Sequence, residues 1–115
     1  MTILTTPRVE LRFGHRWTPV CDRELLTPGR GVAVLLPDGS QAAVFRDHAG
    51  QVYAIANQDP FTGAYVLSRG LLGTTPQGVQ YVASPLLKQR FELATGRCLD
   101  DPAVTIATYP ARTTP

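Results

Sequence analysis

An all-β domain of short antiparallel strands, arranged as a sandwich or barrel, is the fold class predicted, and three observations predict it. Ten glycines and ten prolines in 115 residues are scattered between short apolar stretches, with no run of charge or low complexity, which is the pattern of many brief elements joined by tight turns. No segment sustains apolar residues at helical spacing. The length suits one domain with a single core and is too short for a catalytic unit joined to a separate cofactor unit.

Each element follows from local signals. Trp17 to Cys21 reads as a strand, and the loop Asp22 to Gly31 after it carries a Pro28-Gly29 turn, with Asp22-Arg23-Glu24 as a solvated bend. Gly31 to Leu36 and Gln41 to Arg46 flank Pro37-Asp38-Gly39-Ser40, a hairpin connection with a glycine available for positive φ. A second hairpin runs through Asp47-His48-Ala49-Gly50 into Gln51 to Ala56, which is apolar on both faces and therefore expected at the centre of a sheet. A long loop, Asn57 to Ser68, precedes Leu71 to Thr74, the turn Pro76-Gln77-Gly78, and a strand Val79 to Ala83. After a second loop come Arg90 to Leu93, a turn at Ala94-Thr95-Gly96, and a last strand from Val104 to Tyr109. Trp17 and Tyr81 are expected in the core rather than as electron relays.

Composition excludes several function classes. A net charge of +2 with dispersed cations gives no electrostatic footprint for nucleic acid. The stretch Met1 to Trp17 has no apolar export core, and the longest clean apolar run, Val32 to Leu36, falls far short of the ~20 residues of a membrane span. A cytoplasmic, membrane-free protein is the expectation. Two cysteines and two histidines, His15, Cys21, His48 and Cys98, match in number what a two-iron cluster with mixed ligands would need, yet no two stand close enough in sequence to form a local chelate. They are read as two small buried or half-buried thiols and two surface imidazoles. Sequence leaves a Cys21–Cys98 disulfide open, and a chain without an export signal does not favour it.

Two segments carry a specific resemblance. Asn57-Gln58-Asp59-Pro60-Phe61-Thr62-Gly63-Ala64 and Ser84-Pro85-Leu86-Leu87-Lys88-Gln89-Arg90-Phe91, with Glu92 and Gly96 beyond the second, resemble the two cluster loops of a Rieske iron–sulfur domain. Among Rieske-like families the chain is most similar to the small subunit of NAD(P)H-dependent nitrite reductase, with Val66-Leu67-Ser68-Arg69-Gly70-Leu71 adding to the match. The similarity runs from roughly Trp17 to Arg112. It leaves residues 1–16 as an added strand or an arm and 113–115 as a tail.

The resemblance implies a Rieske-like antiparallel β-sandwich or barrel with two cluster-type loops. A Rieske domain holds its cluster with a C-x-H pair on one loop and a C-x-x-H pair on the other. Here those positions are Asp59 and Phe61, then Ser84 and Leu87, so the resemblance is to members that have lost the ligands. It further implies a partner, a large subunit carrying FAD, siroheme and an iron–sulfur cluster that reduces nitrite to ammonium, with this chain as a non-catalytic subunit holding no cofactor of its own. Two alternatives stand beside it: an electron carrier that ligates a cluster in an unorthodox way, and a stand-alone small β module binding some other ligand.

Loss of a metal cross-link frees two loops, whose ordering costs roughly 1–2 kcal/mol per residue. Phe61 and Leu87 are therefore expected to fill the vacated space between the loops. Asp59 and Ser84 either pair across the gap or serve their own turns, and turn duty is the commoner role for these residue types. Phe61, Arg69, Leu87, Lys88 and Arg90 are the candidate partner-docking residues, with Arg97 as a further member of a basic rim.

Overall fold

The structure, a computed structural model, describes residues 7–115. Its elements are ten strands: β1 (Arg8–Phe13), β2 (Arg16–Asp22), β3 (Gly31–Leu35), β4 (Gln41–Arg46), β5 (Val52–Ala56), β6 (Leu71–Thr74), β7 (Gln80–Ala83), β8 (Arg90–Glu92), β9 (Thr108–Tyr109) and β10 (Ala111–Thr114). Two single 3-10 turns, Arg23–Leu25 and Leu67–Arg69, are the helical content of the described residues. None of it is long and apolar enough to cross a membrane.

The strands form three antiparallel sheets, ordered β10-β1-β2, β3-β4-β5-β9 and β6-β7-β8. The two central strands of the middle sheet, β4 and β5, are buried on both sides, and their period-two alternation assigns each residue to a side. Ala42 and Val44 of β4, with Val52 and Ala54 of β5, pack with Val9 and Leu11 of β1 and with Leu26, Val34 and Leu36. The intervening Ala43, Phe45 and Ile55 pack with Leu67, Val82, Phe91, Leu93, Cys98 and Ile106. Phe45, Ile55, Val82 and Phe91 are wholly buried, each contributing about 1.5–3 kcal/mol by removal from water. This two-sided burial is why β5 reads as apolar on both faces.

Of the two readings open for residues 1–16, the added strand is the one seen: Arg8–Phe13 is central in its sheet, with Val9 opposite both Cys21 and Thr113, while residues 1–6 lie outside the described region. Other expectations are corrected. Thr113 and Thr114, expected in a tail, belong to β10. The expected strand Val104 to Tyr109 is split, because its two halves serve different partners. Its first half pairs with the 96–98 segment, Cys98 donating to the Val104 carbonyl at 2.9 Å and Ile106 to that of Gly96 at 2.9 Å. Thr108 and Tyr109 then cross to β5, opposite Ile55 and Ala54. Trp17 and Tyr81 are half-buried on outer sheet faces rather than in the core. Alternation turns Val82 inward and leaves Tyr81 facing out, where the Arg90 guanidinium lies 5.5 Å from its ring. Arg112 stacks on Trp17 at 4.1 Å and bonds Glu10 at 2.8 Å.

Candidate functional site: two paired loops

The two segments singled out in the sequence are adjacent in space. Loop one, following β5, is closed at its base by Asn57, which is 1% exposed. Its amide donates to Gln41 Oε1 at 3.0 Å, and its side-chain oxygen accepts the Ser68 backbone N–H at 2.8 Å. Asn57 thus stitches both ends of the loop to β4. Sequence reading noted it within a motif without assigning that work; a polar residue at the end of an all-apolar strand was the available signal.

Within the loops the chain folds into two turns of the same form. In loop one the Asp59 N–H donates to the Ala64 carbonyl at 2.8 Å, and the Gly63 N–H to the Asp59 carbonyl at 2.8 Å. In loop two, between β7 and β8, Ser84 donates to the Gln89 carbonyl at 2.9 Å, and Lys88 to that of Ser84 at 3.2 Å. Asp59 and Ser84 therefore occupy equivalent first positions. Asp59 Oδ1 accepts the Phe61 N–H at 2.8 Å, and Ser84 Oγ accepts that of Leu86 at 3.4 Å. These are the turn roles expected of Asp and Ser.

Asp59 and Ser84 also meet. The Ser84 hydroxyl donates to Asp59 Oδ2 at 2.6 Å, and both residues are completely buried. At 2.6 Å this bond lies at the short end of the O–H···O range. The two roles the sequence left as alternatives are thus both filled, one by each carboxylate oxygen. Phe61 is 36% exposed, with its ring 6.2 Å from that of Phe91 and tilted by 45°, so it leans over the joined loops. Leu87 does not fill the space between them, being 58% exposed, with Leu86 beside it at 48%. The hydrogen-bonded pair already occupies the interior, which leaves Leu87 to face solvent.

The cationic candidates separate. Arg90 is engaged three ways: its Nη2 donates to Asp100 Oδ1 at 2.8 Å, its Nε and backbone N–H to Asp100 Oδ2 at 3.2 and 2.8 Å, and its plane covers Tyr81. Hydrogen bonding from Arg90, the largest influence, holds Asp100 below the ordinary carboxylate range. Sequence reasoning missed Asp100, ten residues away and visible only once the 97–104 segment folds back. Arg69, Lys88 and Arg97 are exposed and form no ion pair among the described residues.

The residues present do not suit a [2Fe–2S] cluster with thiolate and imidazole ligands. The phenyl of Phe61 and the isobutyl of Leu87 carry no donor atom, while the oxygens of Asp59 and Ser84 are committed to each other and to backbone amides. Cys21 and Cys98 are free thiols in different cores. Burial, and next the neighbouring Asp22, push the Cys21 thiol up. His15 and His48 are exposed, and among the described residues no three His, Cys, Asp or Glu side chains converge as metal ligands. A surface concavity of about 320 Å³ lies between the 47–49 turn and β6, lined by neither loop.

Comparison with known proteins agrees with this architecture. Residues 16–115 match the Rieske-like [2Fe-2S] domain. The chain is 47% identical over 98 residues to the nitrite reductase (NADH) small subunit of Salmonella typhimurium, covering 84% of this chain and 89% of that one. A crystal structure assigned as the NADH-dependent nitrite reductase small subunit of Mycobacterium tuberculosis superposes with a TM-score of 0.82 at 55% identity, over 87% of this chain and 88% of that one. The chain is also 38% identical over 96 residues to a stretch forming 10% of the nitrite reductase [NAD(P)H] large subunit of Klebsiella oxytoca. The chain belongs to the Rieske-like [2Fe-2S] domain family and, within it, to the small subunits of NAD(P)H nitrite reductase.

Proposed function

We propose that this chain serves NAD(P)H nitrite reductase as a cluster-free, non-catalytic subunit that binds and supports the large chain. The observation that carries this is the Asp59–Ser84 bond, which ties the loops together with the atoms that stand at two of the four ligand positions. A domain whose loops are ordered this way needs no iron to keep its shape. The large chain would supply FAD, siroheme and an iron–sulfur cluster, with the reaction confined to it in the cytoplasm. Support for direct contact comes from the Klebsiella oxytoca large subunit, where a domain similar to this one is part of the same polypeptide. The docking surface is the loop tip, with Phe61, Leu87, Lys88 and Arg69 as contacts and Arg90 bracing the loop from behind through Asp100.

The test is reconstitution. The large chain alone and with this chain added is assayed for nitrite-dependent NAD(P)H oxidation, while the added protein is analysed for iron and acid-labile sulfide. A rise in activity or lifetime on mixing, with iron far below stoichiometric, is the expected result. Two irons per chain in anaerobically purified protein would favour the electron carrier instead.

A further inference from the structure

One turn of this fold places an unusual residue where its sister turns use glycine. Asp59–Ala64, Ser84–Gln89 and the turn from Glu92 to Arg97 all close with the same two backbone bonds; in the third, Glu92 donates to Arg97 at 2.9 Å and Gly96 to Glu92 at 2.8 Å. The fifth residue of each is left-handed, with φ of 77° at Gly63, 68° at Lys88 and 76° at Gly96. That conformation crowds a Cβ and is natural to glycine. Lys88 is the one non-glycine residue at positive φ among the described residues. It is also the one lysine of the chain, against ten arginines.

A side chain kept on an unfavourable backbone calls for a reason in what that side chain does. The fold supplies little of one. Lys88 Nζ reaches the Pro85 carbonyl at 3.2 Å in an exposed setting and pairs with no carboxylate among the described residues. Beside it stand Leu86 and Leu87, both well exposed. The result is a cation without a counter-ion, collared by apolar surface at the tip of a loop anchored from within.

We propose that Lys88 and its two leucines are the specificity contact for the large nitrite reductase chain, the ammonium meeting a carboxylate of that chain set in apolar surroundings. This rests on the subunit role proposed above. The Klebsiella oxytoca large subunit, in which a stretch similar to this domain shares the polypeptide, favours that occupant, and charge disfavours a tip-to-tip contact with a second copy of this chain. The tip offers no free carboxylate, since Asp59 is buried against Ser84 and Asp100 is held by Arg90, so two tips would set cation against cation.

The lone lysine makes the test selective. An acetylating amine reagent modifies Lys88 and the amino terminus, which peptide mass spectrometry resolves, in the free chain and in the chain mixed with the large subunit. In a co-eluting complex, Lys88 modification is expected to slow about tenfold or more while the amino terminus serves as internal reference. Lys88→Gly is expected to melt at the same temperature or higher, because it suits the turn, yet to bind about tenfold more weakly, as for loss of one desolvated charge contact. Lys88→Arg should restore much of the binding. Unchanged labelling in a complex that does co-elute, or a Lys88→Gly chain that binds as tightly as the parent, overturns this inference and leaves the subunit role standing. Absence of any complex removes both.

Discussion

Removing the Ser84 hydroxyl should loosen two loops at once, by an amount that follows from the environment. In Ser84→Ala, Asp59 Oδ2 keeps its full burial and loses the one side-chain donor that reaches it at 2.6 Å. A buried carboxylate oxygen left in this way costs about 2–3 kcal/mol. With an unfolding entropy of about 2 cal/mol/K per residue over 115 residues, the melting temperature should fall by about 8–12 °C. Calorimetry of Ser84→Ala, Asp59→Ala and the double variant then forms a cycle. The second substitution should cost little once the first is made, giving a coupling of at least about 1 kcal/mol. Hydrogen exchange supplies a local readout, since the Phe61 amide is held by Asp59 Oδ1 and should lose protection even though the mutation sits on the other loop. A drop below about 2 °C, near 0.5 kcal/mol for a domain of this size, together with additive costs, would refute the idea that this bond joins the loops.

Three further outcomes are expected. Phe61→Ala should cost about 1–2 kcal/mol by thermal melting, through loss of half-buried area and of the tilted contact with Phe91; an unchanged melt would mean the ring packs on nothing that matters to stability. Gly31→Ala should cost about 1–3 kcal/mol as an overpacked site, because a methyl group there would run into the Ser68 carbonyl and the Phe45 ring; a neutral result would show that loop one can slide away from β3. Asp100→Asn should destabilise slightly at neutral pH and not in acid. The folded carboxyl titrates below its ordinary value because Arg90 bonds it, so its contribution is present above the unfolded value near 3.9 and vanishes as pH falls through the lower folded value. Parent and variant melts should therefore converge below about pH 4, and a constant gap across that range would assign the loss to packing instead.

Hairpins and their turns were legible because each depends on a few neighbouring residues. The Pro37-Asp38-Gly39-Ser40 turn, the unbroken apolar character of β5, and the boundaries of β3 and β4 within a residue or so all follow from local chemistry. What escaped was set at a distance. β1 is held by β10 at the opposite end of the chain, and no property of Arg8–Phe13 taken alone announces that partner. The split of the Val104 to Tyr109 segment reflects a change of partner in mid-strand, to which a continuous apolar pattern is blind. At the site, that two separate segments would matter together was readable, and they meet through Asp59 and Ser84. The division of labour among their residues was not, because apolar residues were credited with filling a gap that two small polar ones close.

That division explains how a loop pair of this kind can be ordered without metal. Each loop is already shaped by its own two backbone bonds and at least one side-chain-to-amide bond, so most of the ordering cost is met inside the loop rather than between loops. What remains is to fix one turn against the other, a task with few degrees of freedom that a single short, buried hydrogen bond can accomplish. The inner first positions of the turns thus carry the stability, and the outer positions are released from it. Leu86, Leu87 and Lys88 face solvent because nothing inside needs them, which makes their chemistry available for recognition. Inner substitutions at Asp59 or Ser84 should therefore act first on melting and only through it on binding, whereas outer substitutions at Leu87 or Lys88 should weaken binding at unchanged melting temperature. Observing the two effects at the opposite positions would show that shape and recognition are not divided in this way.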